Sequence, residues 1–335
     1  MYICGVKHHI DIFVQLGQRL SEFASDELSR SVIAQAEAEN PWFTEDDVCR
    51  SIEAIRSQML DRSKLEQWLS VYTLESVSSK RVGIIMAGNI PAVGLFDMLC
   101  VLVAGHEACV KLSSKDRVVM QYIIDELRAI DPAVAISEWD GRSAVDAVIA
   151  TGGDSANLHF RTLYGDVPHL LRGSRHSVAV LTGSENDEQL RALASDVFSY
   201  SGLGCRNVSL IFAPRGYDFA LSVPTLCRGY RNNYRHTRAV LTMQGVAFRD
   251  LDGALMVESD AEFPSAISRI NIARYDSLSE VEQWLSANDH ALQCVVSSQA
   301  LHPRCVDFGQ AQRPRLDDYA DGVDVMKFLL SLSND

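Results

Sequence analysis

The chain has 335 residues, 47% of them hydrophobic and 22% charged, with a formal net charge of −13. That length suits about two domains with cores of their own, and the charge argues against whole-surface attraction to nucleic acid or to an anionic membrane. The longest apolar runs, Val82–Ala87 and Met98–Ala104, are too short to cross a bilayer, and Lys7, His8, His9 and Asp11 interrupt the only apolar start a signal peptide would use.

The first eighty residues read as helices. Thr44-Glu-Asp-Asp47 resembles a capping box, with Asp47 a short stand-in for the usual Glu, ahead of Val48, Ile52, Ile55 and Met59. Asn40-Pro41 separates this helix from the one before it. From Arg81 the pattern becomes alternating strands and helices. Strands are expected at Val82–Met86, Ala108–Leu112, Val134–Ile136 and Ala147–Ala150. Helices are expected from Pro91 to about Val103, over Arg117–Ile130, and after Gly153. Such alternation implies a doubly wound, mostly parallel α/β sheet.

A second series begins at Ser177–Leu181. A helix follows over Glu188–Phe198, then a strand over Val208–Phe212, a helix over Ala220–Gly229 and a strand over Ala239–Met243. Strand Ile270–Arg274, helix Ser279–Ser286 and strand Leu292–Val296 complete it, and the boundary between the series falls near Gly173.

The eight cysteines, at 4, 49, 100, 109, 205, 227, 294 and 305, form no Cys-x-x-Cys pair, and no His-Glu-x-x-His occurs. No metal site is therefore expected, and the scattered thiols suit a cytoplasmic protein. One cysteine has distinctive surroundings. In Tyr200-Ser-Gly-Leu-Gly-Cys-Arg-Asn-Val208, two glycines lie between the end of a helix and the start of a strand. Gly202 and Gly204 allow a tight turn and close approach of a ligand to Cys205, whose own N–H can help bind an oxyanion. Taken alone, the string also fits a structural cysteine after a glycine turn. The chain has no Gly-x-Gly-x-x-Gly fingerprint and no Gly-x-Ser-x-Gly elbow, which sets aside a standard Rossmann dehydrogenase and a serine hydrolase.

Six segments, in this order, resemble the acyl-CoA reductase (LuxC) branch of the aldehyde dehydrogenase superfamily. They are Ala87-Gly-Asn-Ile-Pro91, Val110-Lys-Leu-Ser-Ser114, Ala150-Thr-Gly-Gly153, Tyr200–Asn207, Ala287–Val296, and Phe308-Gly-Gln-Ala-Gln312 with Tyr319–Leu330. The resemblance implies two doubly wound α/β domains with a helical N-terminal segment. Residues 1–172 would hold that segment and the cofactor domain, 173–305 the catalytic domain, and 306–335 a segment returning to the cofactor domain or to an oligomer interface.

It also implies roles. Cys205 would be the nucleophile, and the Asn89 amide would join the Cys205 N–H in an oxyanion hole. Lys111 would reach the adenosine ribose, and Thr151, Gly152 and Gly153 would lead a helix N-terminus onto the cofactor pyrophosphate. Two departures carry information. Where aldehyde-oxidising relatives place a water-activating glutamate, this chain has Leu171 or Arg172, so hydrolysis of an acyl-cysteine should be slow and reduction favoured. Where NAD-preferring relatives carry a glutamate, Ser114 stands between Ser113 and Lys115, which favours NADPH, with NADH the alternative. The expected reaction is acyl transfer from acyl-CoA or an acyl carrier protein to Cys205, then reduction to an aldehyde. An acyl-activating enzyme and further copies of the chain are the implied partners. The competing reading is a cysteine acyltransferase or acyl-carrier module that never reduces its cargo.

Arg228, Arg231, Arg235, His236 and Arg238 form a basic cluster with Tyr230 and Tyr234 among them. It reads either as a dock for the phosphates of coenzyme A or for an acidic acyl carrier protein, or as a solvated surface loop with partner carboxylates. His159, His169 and His176 read as packing or hydrogen-bonding residues.

Overall fold

The computed structural model describes residues 2–74 and 78–332, with side chains from residue 7 onward, so the side chain of Cys4 lies outside the described part. The contacts divide it into two compact units, residues up to Ser174 together with those from Arg315 onward, and Arg175–Pro314.

The first unit opens with four helices: α1 (Tyr2–Arg19), α2 (Glu27–Glu39), α3 (Glu45–Met59) and α4 (Arg62–Leu69). Their starts follow from capping side chains that accept otherwise orphaned first-turn N–H groups. Asp26 accepts from Ser29, Thr44 from Asp47 at 3.2 Å, and Asp61 from Lys64. Behind them stands a five-stranded parallel sheet of β1 (Arg81–Ile85), β2 (Glu107–Lys111), β3 (Ile136–Glu138), β4 (Ala147–Thr151) and β5 (His169–Arg172), in the order β3-β2-β1-β4-β5. The crossover helices are α5 (Leu95–Val103), α6 (Arg117–Ile130) and α7 (Asp154–Tyr164). Helix α5 begins four residues later than Pro91 suggests, because Ala92 takes a positive φ of 58° and its N–H donates to Asp116 Oδ2 at 2.8 Å. One apolar core joins Phe13 and Leu16 of α1, Val48 of α3, Leu99 of α5 and Ile123 of α6 to Leu329.

The second unit carries β6 (His176–Val180), α8 (Asp187–Phe198), β7 (Val208–Pro214), α9 (Arg228–Met243), β8 (Arg249–Asp250) and β9 (Leu255–Glu258). It continues with β10 (Arg269–Tyr275), α10 (Leu278–Ala287), β11 (Leu292–Val296) and β12 (Cys305–Val306). The sheet order is β12-β11-β6-β7-β10-β9-β8, parallel except for the β8–β9 pair. Here two expectations are corrected. Residues 220–227 form no helix, as Pro224 interrupts them, and Ala239–Met243 is the last turns of α9 and not a strand. The basic cluster therefore lies on a helix and not in a loop. What holds α9 is a buried row of Tyr230, Thr237 and Leu241, spaced by seven and then four residues.

The chain then re-enters the first unit and closes with α11 (Val325–Ser331). There Tyr319 accepts from Trp68 Nε1 at 2.7 Å and pairs with the Tyr72 hydroxyl, and the His106 ring bonds the Leu329 carbonyl at 3.0 Å.

Candidate active site

In the first unit the candidate residues follow neighbouring strands. Because β1 lies between β2 and β4, the segments after their carboxyl ends are adjacent: Gly88 and Asn89 after β1, Lys111–Lys115 at the end of β2, and Thr151–Gly153 at the end of β4. The chain winds outward from β1 to β3 and then returns to place β4 on the other side of β1, so this is the switch point of the sheet, where open α/β sheets bind ligands.

Gly88 is needed for close approach there, since a Cβ on it would stand 2.2 Å from Ser113 Oγ. The same Ser113 oxygen accepts from the Lys115 N–H at 3.3 Å. Ser114 and Lys115 are exposed, whereas Asn89 is half-buried. The Lys111 ammonium donates to the Asp140 carbonyl at 3.2 Å. Asp116 is buried, and burial pushes its carboxyl well above the usual carboxylate range, offset in part by the Ala92 N–H.

Helix α7 starts at Gly153 with no side-chain cap, so its first-turn N–H groups and dipole favour an anion. A Cβ on Gly153 would meet only Ser174 Oγ, at 3.9 Å, which leaves the approach to this turn open. The turn suits the phosphates of a dinucleotide. At the neighbouring end of β5, Arg172 is buried and bonded to Asp97 Oδ2 at 2.7 Å. Neither side chain at the position compared with the water-activating glutamate can therefore act as that base, since Leu171 is a hydrocarbon and the Arg172 charge is committed to Asp97.

In the second unit, α8 is set by a capping box of Asn186 and Gln189 and ends just before the cysteine loop. Tyr200 (φ 54°), Ser201 (φ 51°) and Gly202 (φ 71°) are successive left-handed residues. Only glycine adopts that conformation freely, and each of the other two costs about 1–2 kcal/mol. Asn207 restrains the strained turn. Its amide donates to the carbonyls of Ser199 at 2.8 Å, Val197 at 3.0 Å and Asp196 at 3.2 Å, while its oxygen accepts from Gly204 N–H at 2.8 Å. Ser177 of β6 donates to the Cys205 carbonyl at 2.8 Å. The Gly204 carbonyl accepts from Asn207 N–H at 3.1 Å; since the peptide is planar and trans, the Cys205 N–H points the opposite way, away from Asn207. Neither Asn207 nor Ser177 stands out in the sequence as a site residue. Their signal is only an amide two residues after the cysteine and a serine at a strand start.

Of the seven cysteines whose side chains are described, Cys205 alone is exposed. Burial pushes the thiols of Cys49, Cys100, Cys109 and Cys305 up, away from the reactive thiolate. Among the described residues no group of three or more His, Cys, Asp and Glu is placed to hold a metal ion, and no helix is long and apolar enough to cross a membrane. His159 is exposed on α7, the His169 ring bonds the Val167 carbonyl at 2.9 Å, and His176 stacks on Phe263 with ring centroids 4.1 Å apart.

Beneath the cysteine loop, the Asp196 carboxylate accepts from the backbone N–H groups of Gly309 at 2.6 Å and Ala311 at 3.0 Å. Burial pushes this carboxyl up to about 7, although both hydrogen bonds oppose the shift. The folded state thus holds its proton more tightly than the unfolded state, whose carboxyl titrates near 4. Stability from this group is complete below about pH 4 and declines by up to about 4 kcal/mol as pH rises through 7. In Asp196→Asn, the stability deficit relative to wild type should therefore be larger at pH 5 than at pH 8 in urea titrations. A deficit equal at both pH values would show that Asp196 binds its proton no more tightly in the folded protein.

The family model described as acyl-CoA reductase (LuxC) matches residues 26–218, more than half of the chain. Among curated proteins, no sequence matches it. Among solved structures, aldehyde dehydrogenase 21 from Physcomitrella patens, in complex with the product succinate, is similar with a TM-score of 0.66 at 11% identity, over 98% of this chain and 84% of that one. An NAD-dependent benzaldehyde dehydrogenase from Corynebacterium glutamicum gives 0.64 at 13% identity, over 88% and 77%. Mycobacterium tuberculosis aldehyde dehydrogenase complexed with NAD+ gives 0.63 at 12%, over 88% and 74%. The fold is that of the aldehyde dehydrogenases.

Proposed function

Since the chain belongs to the LuxC acyl-CoA reductase family, we propose that it accepts an acyl group from a thioester onto Cys205 and reduces it to an aldehyde. The observation that carries this reading is the exposed Cys205 thiol on a loop held by Asn207 and Ser177.

The Cys205 thiolate attacks the thioester carbonyl, and negative charge collects on the carbonyl oxygen. The Cys205 N–H stabilises that charge, with the Asn89 amide as the second donor that the family resemblance assigns. The carbon–sulfur bond to the carrier breaks, the carrier thiolate takes up a proton, and the acyl group remains on Cys205. Lys111, Ser113, Ser114, Lys115 and the turn Thr151–Gly153 would hold a nicotinamide cofactor, which supplies the hydride when bound. The small hydroxyl of Ser114 and the Lys115 ammonium favour a ribose 2′-phosphate, hence NADPH over NADH. Cys205 then leaves from the reduced acyl carbon, releasing the aldehyde and regenerating its thiol. Leu171 and the ion-paired Arg172 offer no base to a competing water, which supports reduction over hydrolysis.

The test is intact-protein mass spectrometry with a panel of acyl-CoAs, together with NADPH oxidation and aldehyde detection. We expect an acyl adduct on Cys205 without cofactor, and its loss as aldehyde when NADPH is added. A stable adduct that NADPH never discharges would favour the acyltransferase reading.

A further inference from the structure

The basic cluster acquires a shape once it lies on α9. At about 100° per residue, Arg228, Arg231, Arg235 and Arg238 fall within about 80° of one another, roughly 120° round the helix from the buried row Tyr230, Thr237 and Leu241. All four are exposed. Arg238 is paired with Asp250 at 2.8 Å, but Arg228, Arg231 and Arg235 make no ion pair with any described residue. In a chain with 44 acidic residues, none occurs between Asp218 and Asp250. This arrangement works against the helix itself. Arg228 sits at the positive end of the dipole with no acid in the first turn, and neighbours three or four apart repel.

The start of α9 also adjoins the cysteine loop within the same unit. Cys227 caps the helix by accepting the Tyr230 N–H and also accepts from the Ser201 hydroxyl at 3.3 Å, while a Cβ on Gly202 would lie 3.9 Å from the Tyr230 ring.

We propose that the Arg228–Arg231–Arg235 face of α9 docks an acidic acyl carrier protein, which delivers its thioester to Cys205. This rests on the acyl-transfer reading above. The three guanidinium groups are strung over about 10 Å of a convex helix. That spacing suits a row of carboxylates on a partner helix better than the phosphates of one coenzyme, which call for a concave pocket. A carrier seated there lies beside the loop its flexible arm must reach.

The experiment compares wild type, the double variant Arg231→Glu/Arg235→Glu and the control Arg231→Lys/Arg235→Lys. Acyl transfer is measured from three donors with one acyl chain: acyl carrier protein, acyl-CoA and acyl-N-acetylcysteamine. Binding of unacylated holo carrier protein is followed by fluorescence anisotropy across a salt series. Charge reversal should raise KM for the carrier protein at least tenfold relative to the small thioester, and the lysine control should stay within about threefold of wild type. Holo carrier binding should weaken with salt and vanish on reversal. An unchanged carrier KM and affinity would overturn the proposal, as would an equal KM increase for acyl-CoA, which would mark a phosphate site. If no donor acylates Cys205 while the carrier still binds through these arginines, the acyl-transfer reading fails and the docking surface stands. Transfer from the small thioester with no carrier binding would have the reverse meaning.

Discussion

Cys205→Ala should abolish both the acyl adduct and aldehyde formation while leaving the fold intact. The side chain is exposed, so removing its sulfur opens no cavity and should change stability by less than about 0.5 kcal/mol. Asn207 accepts from the Gly204 N–H and Ser177 donates to the Cys205 carbonyl, and both bonds engage main-chain atoms that the substitution leaves in place. Activity should fall by at least about 10⁴-fold, since no second nucleophile replaces a covalent catalyst. NADPH affinity, read by fluorescence or calorimetry, should be unchanged. Cys205→Ser should keep the loop and still lose nearly all turnover, because a hydroxyl ionises far less readily than a thiol. Normal turnover in Cys205→Ala would sink the covalent mechanism outright.

The second large effect is expected from Asn207→Ala. Asn207 is 5% exposed, and its amide closes three carbonyls at the end of α8 while its oxygen holds Gly204. Truncation removes the Asn207 donor from the Val197 and Ser199 carbonyls and the acceptor from the Gly204 N–H, while Gln312 still reaches the Asp196 carbonyl, at a cost of about 3–5 kcal/mol. It also removes what offsets the left-handed conformations of Tyr200 and Ser201. The loop should relax, and acylation of Cys205 should slow about a hundredfold, as happens when a reacting group moves by an ångström or so. The measurements are the urea midpoint and the single-turnover rate of adduct formation. A stability loss with an unchanged acylation rate per folded molecule would make Asn207 structural only.

Much of the fold is legible in the sequence where one physical signal acts alone. Thr44 caps α3 because its hydroxyl accepts from the Asp47 N–H while donating to the Asp47 carboxylate, and the apolar period of Arg117–Ile130 marks α6 to the residue. Helix α9 is hard to read because its apolar positions are few and far apart among arginines, while Ala239-Val-Leu-Thr-Met243 carries β-forming types. Strand β5 is hidden because its four residues show no alternation that can be told from a loop. At the candidate site, Cys205 declares itself through its flanking glycines. Asn207, Ser177 and Asp196 do not, since their partners are mostly main-chain atoms, up to 117 positions away in the chain, and no local pattern encodes them.

The return of the chain to the first unit bears on how the protein is made. Val325, Met326 and Leu329 of α11 are wholly buried, and the Leu329 carbonyl bonds His106. A ribosome adding residues in order finishes Arg175–Pro314 before it supplies that helix. The second unit can therefore close while the first is still waiting for its last piece, with the apolar surface around Leu99 and His106 uncovered in the meantime. Nascent chains stalled short of residue 325 should be the form most prone to aggregate and most in need of a chaperone, although the cysteine loop within them is already complete.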